Sequence, residues 1–411
     1  MKILVAGPLL SISGYGNHAR QVLEAMQHVH LTDEIYCNVT NWGNSTWSVG
    51  REHIDEDLFE FITKNYISEQ ELNEIKNSQK NKFDVSYQVS FPSEWDISLA
   101  RKNIGFFAGI ETTMCCEKWL DKISSMRKVI VPSRHAKASI QNAKKHYISN
   151  TKDNVEVIPE WFPDCFLDES NSNMQILDNI KTENNVLIIG QLTQLHPDLD
   201  RKNFINTLKQ TVETISLSNK KDWGVILKVS MENNSYLDFI KIKKYISAFI
   251  NILKSEISNV PPVYILHGNM KNQELKSLYS HKKVKALATG TRGEGFGLTT
   301  LEAGALGLPV IATNWSAYTE FLECFLKVDY NLVDIPYTLL NKENTQLDEY
   351  SNIWVKGSKW AEFVPKDFQK KLSLVINNQI SLQEIEEQKK VIINNYCKNA
   401  IINIYSKQFG R

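Results

Sequence analysis

The sequence predicts an α/β chain made of two Rossmann-like, doubly wound domains. Three observations carry this reading. A short apolar strand running into glycine opens each half, at Ile3–Ala6 and again in NVLIIGQL (185–192). Short strand-like runs then alternate with polar or helical sequence, the pattern of a mainly parallel sheet with both faces covered. Between the halves lies DESNSNMQILDNIKTENN (168–185), a polar stretch rich in Asn, Asp and Ser that reads as a linker. A length of 411 residues suits two or three domains.

Taken in order, the first strand leads into the loop GPLLSISGYGNHA and a helix near Ala19–Met26 with apolar spacing. Further strands are expected at DVSYQVS (84–90), KNIGFFAGI (102–110) and KVIVPS (128–133). VEVIPEWFPDCF (155–166) reads as a last strand with a proline-broken exit. In the second half, WGVILKVS (223–230), PVYILHGN (262–269), VKALATG (284–290) and LPVIATN (308–314) are strands, with helices between them such as NQELKSLYSH (272–281). The tail 381–409 reads as helix from its mixed three- and four-residue apolar spacing. The expected domains are 1–170 and 183–389, with a C-terminal helix at 390–411 packing back on the first. No short tandem repeat suggests a solenoid.

Lys+Arg and Asp+Glu each total 47, so the formal charge is zero. That speaks against nucleic acid or an anionic membrane as the dominant electrostatic partner, and leaves room only for a local basic patch. The six cysteines form no C-x-x-C pair, which points away from a zinc ribbon or a thioredoxin-like site and toward reduced thiols of a cytosolic protein. Cys115 and Cys116 read as structural neighbours on a helix. No run of 18 uninterrupted apolar residues is found, so no transmembrane helix is expected, while peripheral membrane contact stays open.

The chemistry concentrates in TRGEGFGLTTLEAGALGLPVIATNW (291–315). A helix is expected to start near Leu298–Thr300, and its first amides suit a phosphate. Gly295 and Gly297 let the backbone approach a ligand without a Cβ clash. Glu294 precedes the helix and Glu302 lies about one turn inside it. These carboxylates do not bind phosphate, but they accept hydrogen bonds from hydroxyls. A ligand with hydroxyls on both sides of a diphosphate is a nucleotide sugar. The competing reading is a packed glycine loop with incidental charge.

EGFGLTTLE resembles the E-x7-E motif of retaining glycosyltransferases with the GT-B fold, family GT4 (glycosyl transferases group 1). DLDRKNF (198–204), SGYGNHAR (13–20), residues 103–137, VEVIPEWF and GSKWAEFVPKDFQKKL (357–372) resemble further segments of that family in the right order. Residues 231–260 and 325–355 match least. The resemblance implies two Rossmann-like domains facing across a cleft, with the acceptor side in the first and the donor in the second. It places Glu294 at the donor sugar hydroxyls and Glu302 at the ribose. Backbone amides of Gly295, Phe296, Gly297, Leu298 and Thr299 would hold sugar and phosphate. Lys202, with Arg201 beside it, would bind the diphosphate; the arginine often found six positions before that lysine is here His196. Gly14, Gly16 and Asn17 would face the donor from the first domain, while His18 reads as a surface residue at a helix start. Gly268, Asn269 and Met270 resemble the base-contact segment, and His267 reads as a satisfied buried histidine.

One departure concerns the acceptor side. Many members carry a histidine before a glutamate on the fourth strand, where this chain has Ile110 and Glu111. Glu111 or Thr112 is then the candidate near the reacting sugar. Trp42, Trp47 and Trp95 could line an acceptor groove, with core packing as the plainer reading. No D-x-D donor-site motif is evident, so neither a metal nor another cofactor is expected. The implied reaction is sugar transfer with retention onto an unnamed acceptor hydroxyl of a glycan, lipid or other molecule. Alternatives from the same residues are a nucleotide-sugar epimerase, a silent sugar-nucleotide binding subunit, and a phage-type enzyme acting on DNA bases. The oligomeric state is not indicated.

Overall fold

The computed structural model describes residues 1–42, 52–78, 82–168, 174–192, 199–231, 233–340 and 353–410. His196 and Trp47 lie outside them. The chain divides into two compact units. Unit 1 holds Met1–Trp161, Leu340–Ser358 and Lys398–Arg411; unit 2 holds Phe162–Leu339 and Lys359–Cys397.

Unit 1 begins with β1 (Lys2–Gly7), α1 (Gly14–Val29) and β2 (Glu34–Val39). It continues through α2 (Glu56–Lys64), α3 (Glu69–Asn77), β3 (Phe83–Val89), β4 (Ala100–Phe106), α4 (Glu117–Ser125), β5 (Lys128–Val131), α5 (Arg134–His146) and β6 (Val155–Val157). Its six strands pair in parallel in the order β2-β1-β3-β4-β5-β6. The run expected at 102–110 ends as strand at Phe106, and the remainder is loop. Cys116 is the N-cap of α4 and Cys115 precedes it, so the pair sits at a helix entrance rather than on a helix; both side chains are buried.

Unit 2 opens with α6 (Gln175–Asp178), β7 (Asn184–Gln191), α7 (Phe204–Ser218), β8 (Trp223–Ser230) and α8 (Tyr236–Glu256). Then come β9 (Val263–His267), α9 (Asn272–Tyr279), β10 (Val284–Thr289), α10 (Leu298–Ala305), β11 (Val310–Thr313) and β12 (Leu326–Val328). β13 (Tyr330–Asp334) pairs antiparallel with β14 (Lys359–Phe363), with α11 (Tyr337–Leu340) between them in sequence. α12 (Pro365–Ile376) and α13 (Leu382–Tyr396) complete the unit.

The second parallel sheet has the order β12-β11-β10-β7-β8-β9. Read outward from β7, this is the doubly wound arrangement in which the chain winds first one way and then the other. The direction reverses between β7 and β10. Both faces carry apolar cores, one through Val225, Leu227 and Phe368, the other through Leu187, Leu287 and Leu301.

The tail forms two helices, not one. α13 stops at Tyr396, Cys397 takes an extended backbone (φ −72°, ψ 158°), and α14 (Lys398–Phe409) belongs to unit 1, where it packs along α1. No described helix is long and apolar enough to cross a membrane.

Candidate functional site

Reversal of winding leaves a crevice at the carboxyl ends of β7 and β10, where ligands bind in open α/β sheets. The loops that follow these two strands carry the strongest sequence signals. After β7 the chain reaches Asp200, Arg201 and Lys202 just before α7. The Asp200 carboxylate accepts from the Lys202 and Phe204 amides at 2.9 and 2.8 Å, which fixes the start of α7. Asn203, at φ +51°, completes the turn.

The loop after β10 brings Glu294 onto the same spot. Its carboxylate accepts from Lys202 Nζ at 2.6 Å and Thr291 Oγ1 at 3.0 Å, and Arg201 lies at 3.2 Å. Arg201 also donates to the Gly293 carbonyl. The Glu294 amide donates to Ser316 Oγ at 3.1 Å. Burial pushes the Glu294 carboxyl up, but the charges of Lys202 and Arg201 and the hydrogen bonds from Lys202 and Thr291 outweigh it and hold the group at about 2. Its side chain is 15% exposed and that of Lys202 is 32% exposed, so the cluster is reachable from solvent.

α10 starts where the sequence places it. Its N-cap, Gly297, sits at φ +99°, a left-handed conformation that excludes most side chains, and no side chain caps the first turn. Phe296 is buried against Phe321 and Tyr396, so its side chain anchors the loop in the core. Glu302 is buried on α10 and accepts from the Tyr279 hydroxyl at 2.9 Å. Burial and the neighbouring Glu302 carboxylate push the Tyr279 hydroxyl well above its usual range.

Three residues that sequence reasoning passed over complete the frame. Arg292 is buried; its Nε donates to Glu362 at 2.6 Å and its guanidinium to the Asp200 carbonyl at 2.8 Å, while it lies 5.0 Å from the Trp360 ring. Glu362 also accepts from Asn203 at 3.0 Å. Thr291 reaches Glu294 directly. Arg292 stands inside the quoted motif, and its charge next to Gly293 was the available signal.

Gly268, Asn269 and Met270 follow β9, at the sheet edge beyond β8. They line a pocket of about 820 Å³. Gly268 takes φ +100°, and its carbonyl accepts from Lys228 Nζ at 2.6 Å. Burial lowers the Lys228 ammonium to about 8. Half-buried His267 has its ring nitrogens 3.1 Å from the Val229 and Ser235 carbonyls.

The remaining candidates belong to unit 1. Gly14 begins α1 with open space around it. The Gly16 amide donates to Ser13 Oγ at 3.1 Å, the N-cap bond of α1, and a Cβ there would lie 1.9 Å from the Ser11 carbonyl oxygen. Asn17 accepts from Arg20 at 2.6 Å. His18 is not at the surface: it is 2% exposed, with Nδ1 3.4 Å from Glu160, because the sheet packs against that face of α1. Glu111 is half-buried and its charge adds to the burial that raises the Tyr15 hydroxyl. Thr112 is buried and donates to the Met114 carbonyl at 3.0 Å. Trp95 is buried in the core, and Trp42 stacks on Tyr15 at 4.0 Å. Among the described residues, no group of three His, Cys, Asp or Glu is placed to hold a metal ion.

Over its whole length the chain superposes on known structures. Anabaena HepE in complex with UDP-glucose is 13% identical, covers 99% of each chain and gives a TM-score of 0.61. Sucrose-phosphate synthase from Thermosynechococcus elongatus is 13% identical over 100% of this chain and 98% of that one, with a TM-score of 0.62. The E. coli trehalose-6-phosphate structure bound with UDP-2-fluoro glucose is 9% identical over 100% and 99%, at 0.63. The chain has the GT-B glycosyltransferase fold. Residues 253–324 match the family model for glycosyl transferases group 1, a span that contains β9, β10, α10 and β11. No curated protein matches the chain in sequence. At these identities the GT-B likeness speaks for the fold, and the group 1 segment is where sequence and site coincide.

Proposed function

We propose that the protein is a retaining glycosyltransferase, which moves a sugar from a nucleoside-diphosphate sugar to an acceptor hydroxyl. The observation that carries this reading is the Lys202–Arg201–Glu294 cluster at the winding reversal, inside and beside the group 1 segment. Two cations and a strongly ionised carboxylate stand at the uncapped start of α10. A diphosphate bound there competes with Glu294 for the same cations, and sugar hydroxyls supply the donors that the carboxylate gives up. The amides of Gly295 to Thr299 face the phosphate, Glu302 takes the ribose, and Gly268 to Met270 take the base.

In the reaction, the acceptor oxygen forms a bond to the anomeric carbon on the face from which the diphosphate departs. The bond to the phosphate oxygen breaks, and the acceptor proton passes to the departing phosphate. Lys202 and Arg201 stabilise the charge that develops there. Glu111 is assigned to the acceptor side. Transfer is proposed to need no metal and to take place in the cytoplasm.

The test is transfer from a panel of nucleotide sugars by wild type, Glu294→Ala and Lys202→Ala, with folding followed by circular dichroism. Both variants are expected to stay folded and lose transfer. Full turnover in both would overturn the donor-site assignment.

A further inference from the structure

Beside Gly268–Met270, the wall of the 820 Å³ pocket is aromatic and comes from α8, a helix outside the group 1 segment for most of its length. Tyr236 is its first residue and is 75% exposed, although it lines a concavity. Its ring lies 6.2 Å from Phe239, tilted by 41°. Phe239 in turn stacks on His267 at 5.7 Å and 29°. The three rings form a ladder that ends at the solvent-facing tyrosine.

The ladder is held in place from several sides. The His267 ring lies between the Val229 and Ser235 carbonyls, each 3.1 Å from a ring nitrogen, and its N–H donates to one of them. A capping box between Ser235 and Asp238 fixes the helix start that carries Tyr236. The loops after β8 and β9 are tied together by the 2.7 Å bond from Asn234 to Asn269, and Lys228 of β8 donates to the Gly268 carbonyl in the loop after β9. A ligand therefore meets a preorganised surface: one aromatic face and, next to it, backbone and amide hydrogen-bonding groups. A flat π-system with an amide-like edge matches both.

We propose that Tyr236, backed by Phe239, is the surface on which the donor's nucleobase stacks. This rests on the donor reading above and adds to it a binding residue that the group 1 segment does not contain. Stacking accepts any base face, so the residue contributes affinity across pyrimidine and purine donors.

The test is calorimetric binding of UDP, GDP and inorganic pyrophosphate to the full chain as wild type, Tyr236→Ala and Tyr236→Phe. Tyr236→Ala is expected to weaken both nucleotides by about ten-fold and to leave pyrophosphate unchanged. Tyr236→Phe is expected to bind like wild type, and the melting temperature should hold in both. Wild-type affinity for the nucleotides in Tyr236→Ala overturns this inference alone, as does an equal loss for nucleotides and pyrophosphate. A wild-type protein that binds neither nucleotide overturns the donor reading and this inference together.

Discussion

Glu294 is held ionised by its neighbours, and that has a consequence for stability as well as binding. Its folded-state pKa of about 2 lies below the unfolded value of 4.5. A depressed carboxylate stabilises the fold above the unfolded pKa, and this contribution disappears as pH falls from about 4.5 through about 2. A shift of this size corresponds to about 3 kcal/mol. Glu294→Gln should therefore unfold more easily in urea at pH 7 by up to about that amount, because Lys202 and Arg201 lose their counter-charge. The gap between variant and wild type should narrow below pH 4. A gap that stays constant from pH 7 to pH 3 would show that the ion pairs carry no net stabilisation. Arg292 has a different role: it touches Glu362 and the Asp200 carbonyl, so it braces the two loops against each other. Arg292→Met leaves Glu362 without its buried partner, and a stability loss of about 3 kcal/mol is expected by urea titration.

Among the elements, α1 separates two glycines that look alike in SGYGNHAR. Gly14 has open space around a Cβ and a helical backbone, so Gly14→Ala should be neutral or stabilising by up to about 1 kcal/mol. At Gly16 a Cβ would meet the Ser11 carbonyl, so Gly16→Ala should cost about 1–3 kcal/mol. Chemical denaturation of the two variants checks the order, and equal effects would contradict the packing argument. The same helix shows how far sequence reached. The buried parallel strands were legible because they are continuous apolar runs, and β8 falls on the expected residues 223–230. β13 is largely exposed and offers no such run. α8 was not read as a helix, since Leu237 and Ile252 are exposed and blur its apolar period. The break at Cys397 carries neither glycine nor proline to announce it. In the site, Glu294 was legible from residue type and spacing, and Lys202 and Arg201 from the family resemblance of DLDRKNF. That Lys202 and Glu294 would touch depends on the register of β7 beside β10, which local sequence does not carry. His18 was misread for the same reason, because burial is set by the sheet beneath it.

At the scale of the whole molecule, α1 also holds the first point where the chain leaves unit 1 and the last point where it re-enters. Gln21 exchanges two hydrogen bonds with the Trp161 backbone at 2.8 and 3.1 Å, the last residue before unit 2. Glu24 pairs with Lys398, the first residue after it, at 3.3 Å. Each unit keeps its own core, so a ligand that binds unit 2 adds its stabilisation there. A nucleotide sugar held by Lys202, Arg201 and the start of α10 should raise the melting transition, and by mass action the effect is about 2.7 kcal/mol at a hundred-fold excess over Kd. The rise should be absent in Lys202→Ala. It should persist in EDTA if the cations of the protein neutralise the diphosphate without a metal. A thermal-shift series over several nucleotide sugars, with and without EDTA, separates these cases. A rise that EDTA abolishes in wild type would replace the metal-free reading with one in which the diphosphate arrives together with a divalent cation.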